Sequence, residues 1–128
     1  DVCSSDLREN SVDYQPGTHI IASLSVAQPA LLSGTTPVKK ALDQLIEKYQ
    51  LQKLGEIYHD FPGGGFTALV CLSESHISLH TWPEHQLVNM DIYLSNFMRN
   101  NDGTVNGIFE SLAAFFQAEI LHVQTIRR

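Results

Sequence analysis

The chain has few cysteines, few basic residues and no long apolar run. Only two of its 128 residues are cysteine, Cys3 near the amino terminus and Cys71 inside an apolar stretch, which is no disulfide framework and leads us to expect a reducing, cytoplasmic setting. Eight lysines and arginines against fourteen acidic residues give a net charge of -6, with no basic cluster beyond Lys39-Lys40 and Arg127-Arg128. That balance argues against a nucleic-acid partner and suits a small cationic ligand better than an anionic polymer. No segment approaches the roughly 18 apolar residues of a membrane span, so no membrane partner is expected. The opening DVCSSDLREN has neither the basic nor the apolar region of a signal peptide and no initiator Met. Residues 1–16 are therefore expected to be a disordered or non-native leader ahead of one domain over residues 17–128. With 43% hydrophobic and 17% charged residues, that domain reads as globular, and a chain near this size buries roughly two thirds of its unfolded surface.

Hydrophobic periodicity supplies the elements. GTHIIASLSV after Pro16 suits a first strand, with His19 pointing off it. TTPVKKALDQLIEKYQL has Thr36 as a candidate N-cap, Pro37 at the first helical position, and Val38, Ala41, Leu42, Leu45, Ile46 and Tyr49 at helical spacing, predicting a helix over 36–50. EIYHDF predicts a short strand ended by the PGGG turn at 62–65. GFTALVCLS predicts another, buried on both faces by its near-continuous apolar character. In HISLHTW, Ile77, Leu79 and Thr81 alternate with His76, Ser78 and His80, placing one set inward and the other outward. LVNMDIYLS at 87–95, a helix over 104–117 through Ile108, Leu112, Phe115 and Phe116, and AEILHVQTI complete the order β-α-β-β-β-β-α-β. This order predicts an α+β fold: a two-layer α/β sandwich with one largely antiparallel sheet and two helices on one face. The second sheet face is left partly apolar, which points to a dimer or to sheet-on-sheet packing.

The chemistry concentrates in SESHISLHTWPEH, residues 73–85. A serine at a strand edge is most often merely solvated and a single histidine is most often structural, but here Ser75 sits at the turn into a strand that carries His76, Ser78 and His80 on one face. A hydrolase would need a nucleophile elbow, and L-S-E-S-H has no flanking glycine. His76, His80 and His85 match neither HExxH nor a CxxC site, so no metal is expected. Gly63 to Gly65 lack the GK[ST] of a phosphate loop and read as a tight turn.

The run ESHISLHTWPE, residues 74–84, resembles the self-processing signature of the prokaryotic S-adenosylmethionine decarboxylase family. The likeness extends more weakly over residues 17–128, through Gly17-x-His19, the helix after the first strand, a Phe shortly before the buried strand, and Asp91. It implies a zymogen that cuts itself between Glu74 and Ser75. Ser75 Oγ would attack the Glu74 carbonyl to give an ester, His80 would act as processing base by removing the Ser75 α-proton, and elimination followed by hydrolysis would leave a covalent pyruvoyl group and ammonia. That ketone is a catalytic electron sink through a Schiff base with the substrate amine, so neither PLP nor a metal is implied. The resemblance further implies Phe61 stacking on adenine, Glu84 holding the ribose hydroxyls, Thr67 as a second processing hydroxyl, and a homodimer of processed protomers. The activity implied is a carboxy-lyase that makes the aminopropyl donor for spermidine biosynthesis.

Two positions depart from the family pattern. Ser95 stands where the family usually has a proton-donating cysteine, and an alcohol is a far weaker acid than a thiol of pKa about 8.5. Thr67 replaces a serine and keeps its hydroxyl. The change at Ser95 leaves two alternatives open: a pyruvoyl decarboxylase of the same fold acting on arginine or ornithine, and a homologue that binds without reacting.

Overall fold

The computed structural model describes residues 14–128, so all but the last three residues of the expected leader, Cys3 included, lie outside the described residues. In chain order the elements are β1 (Thr18–Ser25), α1 (Ala30–Ser33), α2 (Thr36–Lys48), β2 (Lys53–Asp60), β3 (Phe66–Leu72), β4 (Ser75–Trp82), a 3-10 turn (Pro83–His85), β5 (Leu87–Leu94), α3 (Asp102–Phe115) and β6 (Glu119–Arg127). Six strands form one sheet in the order β2-β3-β4-β5-β1-β6, and every neighbouring pair is antiparallel. The helices contact one sheet face, α3 over β1 and β5 and α1 over β4. The expected α+β sandwich is found, with one addition. The single turn α1 follows Pro29 and is too short to show a periodicity, yet it buries Leu32 completely.

Alternation decides which side chains reach the core. Val88, Met90, Ile92 and Leu94 of β5 point inward with Ile77, Leu79 and Thr81 of β4 and Ile20, Ala22 and Leu24 of β1, and all are buried. Phe66, Phe116, Leu42 and Ile108 close the layer beneath the helices. Burying each such side chain contributes roughly 1.5–3 kcal/mol. Thr81 is the polar member of this set. Its Oγ1 accepts the Phe66 N–H and donates to the Leu32 carbonyl, both at 2.8 Å, which links β3, β4 and α1.

Three local expectations change. β3 is not buried on both faces: Phe66, Ala68, Val70 and Leu72 are inward, but Leu69 and Cys71 are exposed on the open side. An apolar run cannot distinguish a strand covered on both sides from one whose outer side is apolar and bare. The N-cap of α2 is Thr35, not Thr36, which moves Pro37 to the second helical position. The cause is tertiary, because Asp60 at the end of β2 accepts both the Thr35 N–H at 2.8 Å and the Thr35 hydroxyl at 3.3 Å. A carboxylate there also opposes the positive end of the helix dipole. α3 begins two residues earlier than predicted, at Asp102. A Cβ at Gly107 on this helix would overlap the Tyr49 hydroxyl, so a residue without a side chain permits the approach of α2 to α3.

Candidate active site

The β3–β4 connection is a two-residue turn, because Leu72 pairs with Ser75 and leaves only Ser73 and Glu74 between the strands. Ser75 has φ +143°, in a region that L-residues rarely occupy, at a strain of roughly 1–3 kcal/mol. The Glu74 carbonyl accepts the Ser95 N–H at 2.8 Å. The Glu74 side chain is clamped by the loop after β5: Arg99 Nε and Nη2 donate to its two oxygens at 3.1 and 3.0 Å, and Asn101 Nδ2 donates at 2.7 Å. Hydrogen bonds from Arg99 hold the Glu74 carboxyl below its ordinary pKa, against the opposing effect of burial, and Asn101 adds to them. Arg99 also donates to the Tyr49 and Gln50 carbonyls at the end of α2, and Asn101 to the Ser95 carbonyl. The peptide bond between Glu74 and Ser75 is thus gripped on its amino-terminal side and strained on its carboxyl-terminal side.

A second group adjoins Ser75 on the open sheet face. Ser75 Oγ lies 3.2 Å from His76 Nδ1, and His76 Nε2 lies 3.2 Å from Asp91 Oδ1. His19 Nε2 hydrogen-bonds the same Asp91 oxygen, and Arg128 Nη1 stands 3.4 Å from His19 Nδ1. The register explains the convergence: His19 and His76 both lie opposite Tyr93, one on each side of β5, and Asp91 is the next residue of β5 on that face. His19, His76 and Asp91 have ligand atoms within 4.8 Å of one another, the spacing a metal ion would need. Each of these ligand atoms is already engaged in the hydrogen bonds just described.

A third group lies at the far end of β4. Phe61, Gly64, Thr67, His80, Trp82 and Glu84 line a cavity of about 350 Å³, and Thr67 Oγ1 is 3.0 Å from His80 Nδ1 on the neighbouring strand. The Phe61 ring meets His59 edge-on at 4.7 Å. Gly65, at φ +89°, forms the floor of the turn: a Cβ there would come within 3.1 Å of the Thr81 carbonyl and 3.0 Å of the Pro83 ring. The structure therefore gathers Phe61, Thr67, His80 and Glu84 around one cavity, and Glu74, Ser75 and Ser95 around the hairpin. Within one chain it does not bring the two sets together, because five residues of extended strand, about 16 Å, separate Ser75 from His80.

The sequence model of the S-adenosylmethionine decarboxylase family matches residues 18–128. The chain belongs to this family. The S-adenosylmethionine decarboxylase proenzyme of Archaeoglobus fulgidus is 40% identical over 77 residues, 60% of this chain and 69% of that one. That of Picrophilus torridus is 34% identical over 96 residues, 75% of this chain and 74% of that one. The crystal structure of the adenosylmethionine decarboxylase from Aquifex aeolicus superposes with a TM-score of 0.74 over 90% of each chain at 23% identity, a likeness of fold.

Within this member of the S-adenosylmethionine decarboxylase family, the geometry brings to Glu74 and Ser75 five side chains to which the sequence assigns no chemistry. His19, His76 and Asp91 carry the family likeness in sequence without an assigned role, and Arg99 and Asn101 fall in no motif. Period two places His19, His76 and Asp91 off the core face, so their common side was legible. Their meeting was not, since it depends on which strands pair. Arg99 and Asn101 lie in a loop, where no period applies.

Proposed function

We propose that this chain is a proenzyme that cleaves itself between Glu74 and Ser75 and then decarboxylates S-adenosylmethionine by means of the pyruvoyl group so formed. The observation that carries the proposal is the state of that one peptide bond: a strained Ser75 with its hydroxyl beside an imidazole, and a Glu74 carbonyl already accepting a backbone N–H from Ser95. An N–H in that position stabilises negative charge on the carbonyl oxygen when Ser75 Oγ adds to the carbon. Release of the Ser75 nitrogen converts the amide to an ester and relieves the backbone strain. Removal of the Ser75 α-proton by His80 expels the Glu74 carboxylate, and water then displaces ammonia. When formed, the pyruvoyl group supplies a carbonyl that condenses with an amine and takes up the electron pair freed as carbon dioxide leaves.

Residues around the cavity would hold the rest of the substrate. Phe61 offers an aromatic face to adenine, and Glu84 offers a carboxylate to the ribose hydroxyls. Ser95 is adjacent to the reacting bond, where it would return a proton to the substrate α-carbon.

The separation of cavity and hairpin supports a homodimer. An isologous pairing of two open sheet faces about a two-fold axis sets the amino-terminal end of β4 in one chain against its carboxyl-terminal end in the other. His80 of a second chain would then meet Ser75. Exposed Ile21, Ile57 and Leu69 on that face would be covered. Among the described residues no helix is long and apolar enough to cross a membrane, and the free, exposed Cys71 suits a cytoplasmic location. Carbon dioxide release from S-adenosylmethionine, measured beside arginine and ornithine, tests the substrate: the nucleoside substrate should react and the two amino acids should not. Release from arginine or ornithine alone would transfer the assignment to the alternative pyruvoyl enzymes, and release from none would leave a binding homologue.

A further inference from the structure

We propose that His76, oriented by Asp91 and His19, is the group that takes the Ser75 hydroxyl proton in the first step of self-cleavage. The inference rests on the self-cleavage reading and assigns a step within it that His80, at the other end of β4, does not reach within one chain.

The hydrogen bonds determine the tautomers. Arg128 can only donate, so His19 Nδ1 faces it as an acceptor, and the His19 proton resides on Nε2, directed at Asp91. The Asp91 carboxylate can only accept, so His76 Nε2 also carries a proton directed at the same oxygen. That leaves the lone pair of His76 Nδ1 directed at Ser75 Oγ, 3.2 Å away, within the reach expected of a general base. Ser75 then donates its hydroxyl proton to Nδ1. A nucleophile, a base and a carboxylate that orients the base stand in sequence, with His19 as a second donor that fixes the carboxylate.

The step balances without a further reactant. The Ser75 Oγ–H bond breaks toward His76 Nδ1 as Oγ bonds the Glu74 carbonyl carbon, and the carbonyl pair moves onto the oxygen held by Ser95 N–H. Collapse re-forms the carbonyl and breaks the carbon–nitrogen bond, and the proton on Nδ1 passes to the departing Ser75 nitrogen. The product is an ester with a free amine, and His76 is neutral again. His76 is a catalytic residue in this step, and Asp91 and His19 are positioning residues.

Intact-mass measurement of newly made protein, with and without hydroxylamine, separates the steps, because hydroxylamine cleaves esters and leaves amides intact. Wild-type chain should convert, and His76→Gln should convert on the order of 10²-fold more slowly while its precursor resists hydroxylamine. His80→Gln should instead accumulate a hydroxylamine-labile ester. Asp91→Asn should slow ester formation, and the His76→Gln/Asp91→Asn double variant should be no slower than His76→Gln, since Asp91 acts through His76. A His76→Gln chain that converts at the wild-type rate, or whose precursor is hydroxylamine-labile, overturns the proposal. Additive slowing in the double variant overturns the role of Asp91. If His76→Gln does not fold, Asp91→Asn alone decides: ester formation at the wild-type rate rejects the relay, and slowed formation upholds it. A wild-type chain that keeps the same full length as Ser75→Ala would defeat the self-cleavage reading itself, an outcome distinct from all of these.

Discussion

Ser75 combines strain, a nucleophile and a nearby base, and these demands conflict with stability. At φ +143° a glycine would be relaxed where serine and alanine are not. Ser75→Gly should therefore be uncleaved yet more stable than Ser75→Ala by about 1 kcal/mol in urea melts. Equal stability would show that the hairpin stores no strain. Ser95 is the other residue on which rate is proposed to depend. Its N–H serves the Glu74 carbonyl whatever its side chain, so Ser95→Cys should leave cleavage unchanged while raising carbon dioxide release on the order of 10²-fold, as expected when a competent acid replaces a poor one. Much of the candidate site was legible, because ESHISLHTWPE carries Glu74, Ser75, His80 and Glu84 in one run. The proposed relay was not: Ser75 and His76 are sequence neighbours, but Asp91 and His19 reach them only through the pairing of β1, β5 and β4.

Among elements, alternation and capping chemistry gave all six strands and both long helices, and they failed in detail where tertiary contacts intervened. The start of α2 was misplaced because Asp60, 25 residues away, caps Thr35. The outer side of β3 was misjudged because Leu69 looks buried in sequence whether or not anything covers it. The junction of β1, β6 and α3 shows a further element-level tie. Asp102 Oδ1 accepts hydrogen bonds from Thr18 at 2.6 Å, Asn96 at 3.0 Å and Arg127 at 2.8 Å. These bonds, that from Thr18 foremost, lower the Asp102 pKa to about 2 from an ordinary 3.8. A carboxyl with a depressed folded pKa contributes stability that is complete above its unfolded value and is lost as pH falls through the folded one. Thermal melting of Asp102→Asn beside wild type should thus show its largest Tm difference above about pH 4, shrinking toward pH 2. A difference constant over that range would mean that the ionised carboxylate is not what holds the junction.

For the whole molecule, the central fact is that the cavity and the hairpin at Glu74-Ser75 lie at opposite ends of β4. The proposed homodimer, joined through the open sheet faces, would unite them, and it predicts complementation. Ser75→Ala has no nucleophile and His80→Gln has no elimination base, so each alone should fail to mature. Co-expressed, the Ser75→Ala chain supplies His80 to the Ser75 of the other, and the His80→Gln chain should be cut and acquire its blocked terminus. Failure of the mixture to mature would place both groups in one chain and contradict the geometry across two. Each of these outcomes depends on the scission of one bond. Intact-mass analysis of purified wild-type protein should show two chains, the first ending at Glu74 and the second beginning with a pyruvoyl group in place of Ser75, whereas Ser75→Ala should remain whole; a wild-type chain that also remains whole would contradict the account.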